Sequence, residues 1–193
     1  VQAGAVLTIE PGVVVRFQSS DALGSGTDTS RIELTVRGTI VANGTPAQPI
    51  TFQAASGTAA ATWVGMILET TATSATLSNI VVEHAVTGIY SSLGGATFTL
   101  SNATFRTNNT GLRLSAGTTT HDGVTATLNS IGVQVDGTAS PTFTNALFTA
   151  NTSRAFYETG TGTLTIENAT IVNNSSYGVY LNAGTVLVRD SII

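Results

Sequence analysis

Leu77-Ser78-Asn79 is written again as Leu100-Ser101-Asn102. Variants return as Phe143-Thr144-Asn145, Ile166-Glu167-Asn168 and Val188-Arg189-Asp190. An apolar residue, a polar one and then Asn or Asp thus recur at intervals of about 20-odd residues. About nine residues after three of these positions stands a second marker, seen as Gly88-Ile89, Gly111-Leu112 and Gly178-Val179. A fixed period of this length is the mark of stacked repeats, in which each unit buries its apolar face only against the next.

Within each unit the pattern predicts three short strands, such as 75–78, 80–83 and 88–91, then 97–101, 103–106 and 111–114. Runs rich in Val, Ile, Phe and Thr, separated by Gly or Asn, carry the strand signal. No helical period persists. Aligning the units gives one column of turn residues: Gly12, Gly38, Asn79, Asn102, Gly123, Asn145, Asn168 and Asp190. All are Gly, Asn or Asp, which enter the left-handed backbone region at little cost. Asn in such a column is also expected to hydrogen-bond along the stack, as amides do in cross-β arrays. Apolar columns flank it, with Ile9, Val36, Leu77, Leu100, Phe143, Ile166 and Val188 before the turn. Val82, Phe105, Phe148, Ile171 and Ile193 follow it.

Three strands per unit with like residues in register describe an all-β chain, a right-handed, single-stranded parallel β-helix of eight to nine coils. At about 4.8 Å per coil the rod is on the order of 40 Å long, and the crossover rule sets its hand. The alternative, an antiparallel sandwich, needs no repeating columns. Residues 1–193 read as one domain, with 1–74 less regular and 75–193 in regular units of about 20–23 residues. At the start, Val6 to Glu10, a Pro11-Gly12 turn and Val13 to Phe17 form a phrase. The phrase returns as Ile32 to Val36, Gly38 and Thr39 to Ala42. Between the copies, Gln18 to Ser30 reads as a projecting loop.

Composition narrows the classes. Charged residues make up 9% of the chain, and all seven basic residues are Arg. A net charge of −4 argues against a nucleic-acid partner. The apolar residues fall in short pieces, so no membrane-inserting span is expected. With zero Cys, disulfides and thiolate metal sites are excluded.

Leu7-Thr-Ile-Glu-Pro-Gly-Val-Val-Val-Arg-Phe17 resembles the opening coil of bacterial secreted and cell-surface β-helix proteins. Gly38 to Phe52 is similar to the phrase that follows it there, and Trp63-Val-Gly-Met-Ile67 to the coil after that. The later Asn…Gly-Ile units resemble the repeats shared with pectate lyases and polygalacturonases, the pectate-lyase-like superfamily. The resemblance implies an extracellular location and a rigid architecture that serves enzymes, adhesins and stalks alike.

Catalysis on such a frame requires converging carboxylates, as calcium ligands or as an acid–base pair. The register expected from the repeat instead places Glu10 beside Arg37, Glu83 beside Arg106 and Glu167 beside Arg189, as cross-strand ion pairs. Asp21 and Asp28 lie in the long loop. His84 falls in a turn, and His121 at an otherwise apolar column position. No catalytic residue, metal ligand or cofactor is assigned. The third strand offers a binding candidate instead. Tyr90, Arg113, Gln134, Tyr157 and Tyr180 face outward behind the glycines, a stripe suited to stacking on sugar rings. Ile89, Leu112, Val133, Phe156 and Val179 are their inward partners.

The sequence therefore predicts a structural or adhesive extracellular domain whose partner is a polysaccharide or cell-surface glycan. A polysaccharide lyase or glycoside hydrolase domain is the alternative. The bare strands at both ends predict a segment of a longer β-helix or self-association, up to an end-to-end stacked fibre.

Overall fold

The computed structural model describes residues 1–95 and 97–193. Its strands alternate as the pleat demands. Ser74–Ser78, for example, keeps Ala75 and Leu77 inside and leaves its three polar residues outside. Strands are three to five residues long because a turn residue interrupts each one. After Ser78 comes Asn79 (φ 48°), and the chain resumes as Ile80–Glu83, then as Thr87–Ser91. That triplet is one coil.

Among the described residues all pairing is parallel, into one sheet of eight strands and two of seven. The molecule is a parallel β-helix with seven complete coils and the first strand of another. The sequence led to expect eight or nine, and the difference arises at the start. Glu33–Val36 is the third strand of the opening coil, in the third sheet against Gly65–Leu68. It is not a new first strand. The first strand of the second coil is Thr39–Asn43, which pairs with Val6–Ile9. Val36 therefore leaves the column of Ile9 and Leu77, and Gly38 leaves the turn column. It is Gly44, one residue past the matched Asn43–Ser78 pair, that aligns with Asn79. Gly38 sits at the third-to-first corner, packed so closely that a Cβ would fall 2.3 Å from the carbonyl oxygens of Gln2 and Ala5.

The other members of the column, Gly12, Asn79, Asn102, Gly123, Asn145, Asn168 and Asp190, all have positive φ. Side-chain bonding along this first corner is partial: Asn168 donates to Asn145, and Asn145 and Thr144 donate to Asp122. These two donors hold the Asp122 carboxyl below its usual range. The continuous amide ladder lies elsewhere, at the second-to-third corner. There Asn108, Asn129 and Asn151 each donate through Nδ2 to the Oδ1 of the next residue, ending at Asn174, with distances of 2.8 to 3.1 Å. The same Nδ2 groups also donate to the carbonyls of Val82, Phe105 and Ala126. Each Oδ1 accepts a backbone N–H from the coil before, beginning with Ala85. Every buried amide is thus satisfied.

The residue before each ladder position is also left-handed: Thr107, Leu128, Ala150 and Asn173 have φ of 55° to 58°. Only Asn173 is a type that tolerates this readily. The ladder clamps the turn on its far side, so backbone contacts hold a conformation that the side chain itself disfavours.

Columns of like residues fill the interior. Phe52, Val82, Phe105, Ala126, Phe148 and Ile171 stack in register on the second sheet. Phe143, Phe148 and Phe156 meet from three sheets, with ring centroids 4.3 to 5.9 Å apart. Near the start Trp63 lies parallel to Phe17 at 3.9 Å and donates its indole N–H to the Glu83 carbonyl at 2.9 Å.

Candidate functional site

The third sheet sets its outward residues by a departure from simple alternation. Each of its regular strands keeps two successive residues inside, as in Gly111-Leu112 and Ala155-Phe156. The residues on either side of that pair therefore both face out. The first of the two sits where coils approach closely: a Cβ on Gly111 would lie 2.6 Å from the Gly132 carbonyl oxygen. Glycine fills this row at Gly88, Gly111, Gly132 and Gly178, with Ala155 as the exception.

Two outward rows result. One runs through Tyr90, Arg113, Gln134, Tyr157 and Tyr180, matched residue to residue across neighbouring coils. The other runs through Thr87, Thr110, Ile131, Arg154 and Tyr177. The first row is half-buried throughout, over Ile89, Leu112, Val133 and Phe156, which are wholly buried, and over Val179, packed against the same core.

The rows interlock into two patches. In the first, Arg113 lies over the Tyr90 ring at 4.9 Å. Its Nε and Nη2 reach Asp136 at 2.8 and 2.7 Å, and Gln134 donates to the same carboxylate at 3.3 Å. The second patch is aromatic. Arg154 sits 4.4 Å from the Tyr157 centroid, 4.6 Å from Tyr180 and 5.9 Å from Tyr177. Tyr180 meets Tyr157 and Tyr177 edge to face at 5.5 and 5.0 Å. Just behind Tyr157 lies Glu158, wholly buried and accepting the Gly160 N–H at 2.8 Å. Burial, reinforced by the charge of Asp136, pushes its carboxyl up to about 7.

A family model described as a right handed beta helix region matches residues 65–193. The chain belongs to the right-handed β-helix family. No curated protein and no solved structure gives a match. Membership accounts for the winding and the repeat, while activity in such an architecture rests with individual sites.

Elsewhere on this β-helix the charged candidates are engaged with one another. Glu83 accepts from Arg106, and Glu167 from Arg189 at 3.0 Å, in the expected cross-strand register. Glu10 does not meet Arg37, because Arg37 follows a third-sheet strand; its guanidinium forks onto Glu69 at 2.7 and 2.9 Å. That ion pair holds the Glu69 carboxyl below its usual range. In the long loop Asp21 accepts the N–H groups of Leu23 and Ser25, and Asp28 holds Ser30 and Arg31. Among the described residues no three His, Asp or Glu side chains group as a metal site would require. His84 occupies a left-handed turn (φ 67°) beside a polar cleft lined also by Arg16, Gln53, Glu83 and Arg106. His121 is wholly buried between Phe98 and Phe143, with ring centroids 5.2 and 5.1 Å away. Burial pushes its imidazole down to about 4, so at neutral pH it serves as a core residue.

Sequence reasoning missed Arg154, Tyr177 and the buried asparagines. Tyr177 carried a signal in its place immediately before Gly178, which strict alternation assigns to the wrong face; Arg154 precedes Ala155 and carried none. The asparagines stand three or four residues before the same row in four successive coils.

Proposed function

We propose that this β-helix is a non-catalytic structural or adhesive domain of a bacterial extracellular or cell-surface protein, and that it docks polysaccharide on its third sheet. The observation that carries the reading is the registered row from Tyr90 to Tyr180, whose side chains are fixed by cation–π contacts and hydrogen bonds before any ligand arrives. Preorganised aromatic faces lose little conformational freedom on binding. Coils about 4.8 Å apart repeat at a spacing comparable to the advance of one ring along an extended glycan.

The non-catalytic part draws on the ion pairs. Carboxylates that hold arginines at 2.7 to 3.2 Å on the rod surface are committed to structure. A lyase or hydrolase on this face would have to use Glu158, among the described residues the one carboxyl raised into the range of a general acid. Its side chain lies wholly beneath the surface, out of reach of a sugar oxygen. A glycan array read with the native chain and with Tyr157→Ala tests the proposal. Signals lost in the variant support the stripe; an array blank for the native chain refutes it.

A further inference from the structure

We infer that the glycan taken by this face is anionic, and that its carboxylate or sulfate groups are received by Arg154. The inference rests on the binding reading above and gives it a chemical class. Of the seven arginines, five are in ion pairs with carboxylates. Among the described residues Arg16 and Arg154 are not. Arg16 lies on the second sheet beside a polar cleft, and no ring holds it. Arg154 is caged by Tyr157, Tyr177 and Tyr180. Its Nε is buried without an acceptor, and none of its side-chain nitrogens makes a hydrogen bond. The terminal nitrogens stay accessible.

A guanidinium is a fork of donors matched to an oxyanion. Ring faces offset part of its desolvation through their quadrupoles but accept none of its hydrogen bonds in the guanidinium plane. The cage therefore orients the fork, with Nε buried and the donors of the terminal nitrogens left open toward the outside. Arg113 on the same sheet shows the contrast. It too lies over a tyrosine, yet Asp136 already fills its fork. One end of the stripe is thus internally neutralised and the other carries a spare positive charge. An acidic sugar stacked on Tyr157 and Tyr180 would supply the missing acceptor.

The test is a calorimetric titration of the native chain with three probes: alginate oligomers, which carry only carboxylates; dextran sulfate, which carries only sulfates; and neutral dextran. At least one acidic probe should bind more than tenfold tighter than neutral dextran and weaken as salt is raised. Arg154→Gln should reduce that affinity roughly ten- to hundred-fold, the range of a charged hydrogen bond. Arg154→Lys, which keeps the charge without the fork, should fall in between. Arg16→Gln should leave binding unchanged, and matching melting curves establish that the variants are folded. Whichever acid binds better identifies the group received. Equal binding of all three probes, indifferent to salt and to Arg154→Gln but lost in Tyr157→Ala, overturns the inference and leaves the stripe standing. No binding by the native chain to any probe removes both.

Discussion

Two polar columns run along the later coils of this rod, and they are finished differently. The Asn108, Asn129, Asn151 and Asn174 ladder lies at the second-to-third corner, and each of its amides finds its partners inside the protein. A few residues further along the same coils, the tyrosine rows leave the Arg154 guanidinium without a single acceptor. Buried amides left unpaired would be costly, so a ladder inside the core survives only if it is complete. A surface guanidinium over aromatic rings can remain unpaired at small cost. A satisfied column holds the fold, and an unsatisfied one is free to hold something else.

Breaking the ladder should have the largest effect on stability. Asn129→Ala strands the Asn108 N–H and the Phe105 carbonyl in the core and cuts the stack in two. A loss of about 2 to 4 kcal/mol is expected. Urea unfolding measures it, and glycan affinity measured below the transition should be unchanged. A loss under about 1 kcal/mol would mean that the ladder is not what holds this corner.

A smaller effect comes from two of the places where the satisfied interior runs out, Glu158 Oε2 and His121 Nδ1. The unfolded chain ionises Glu158 near 4.5, whereas the folded chain keeps the proton to about 7. Its contribution is therefore complete below pH 4.5 and disappears as pH rises through 7. His121 works in the opposite sense. Unfolded, it takes up a proton below 6.5, and folded only near 4, so stability falls as pH drops through that window. Each amounts to about 3 kcal/mol at most. Between roughly pH 4.5 and 6.5 the two slopes oppose each other. Thermal melts of Glu158→Gln should show stability rising with pH across this interval, and those of His121→Leu stability falling. Parallel profiles for both variants would contradict the assignment.

The same contrast between satisfied and unsatisfied columns explains what could be read from the residues alone. Asn79, Asn102, Asn145 and Asn168 were legible because a left-handed corner restricts the side chain that occupies it. Thr107, Leu128 and Ala150 adopt the same backbone region invisibly, since the neighbouring amides hold their φ and the side chain is unconstrained. Val36 and Gly38 were misplaced because Ile32 to Val36 shares the alternation of Val6 to Glu10. The loop from Gln18 to Ser30 also breaks the period that would have told them apart. The row Tyr90, Arg113, Gln134, Tyr157 and Tyr180 could be found by counting from each glycine. Arg154 could not, because Ala155 stands in place of glycine and the doubled inward pair reverses the expected face.

The central claim is that the third sheet is the face that meets a glycan. Backbone amide chemical shifts recorded while an array-positive oligosaccharide is titrated in would test it most directly. The account predicts changes confined to Tyr177–Leu181, Arg154–Glu158, Ile131–Val135 and the neighbouring strands Thr110–Leu114 and Thr87–Ser91, largest around Arg154 and Tyr180. Changes centred on Arg16, Gln53, His84 and Arg106 across the second sheet would contradict it.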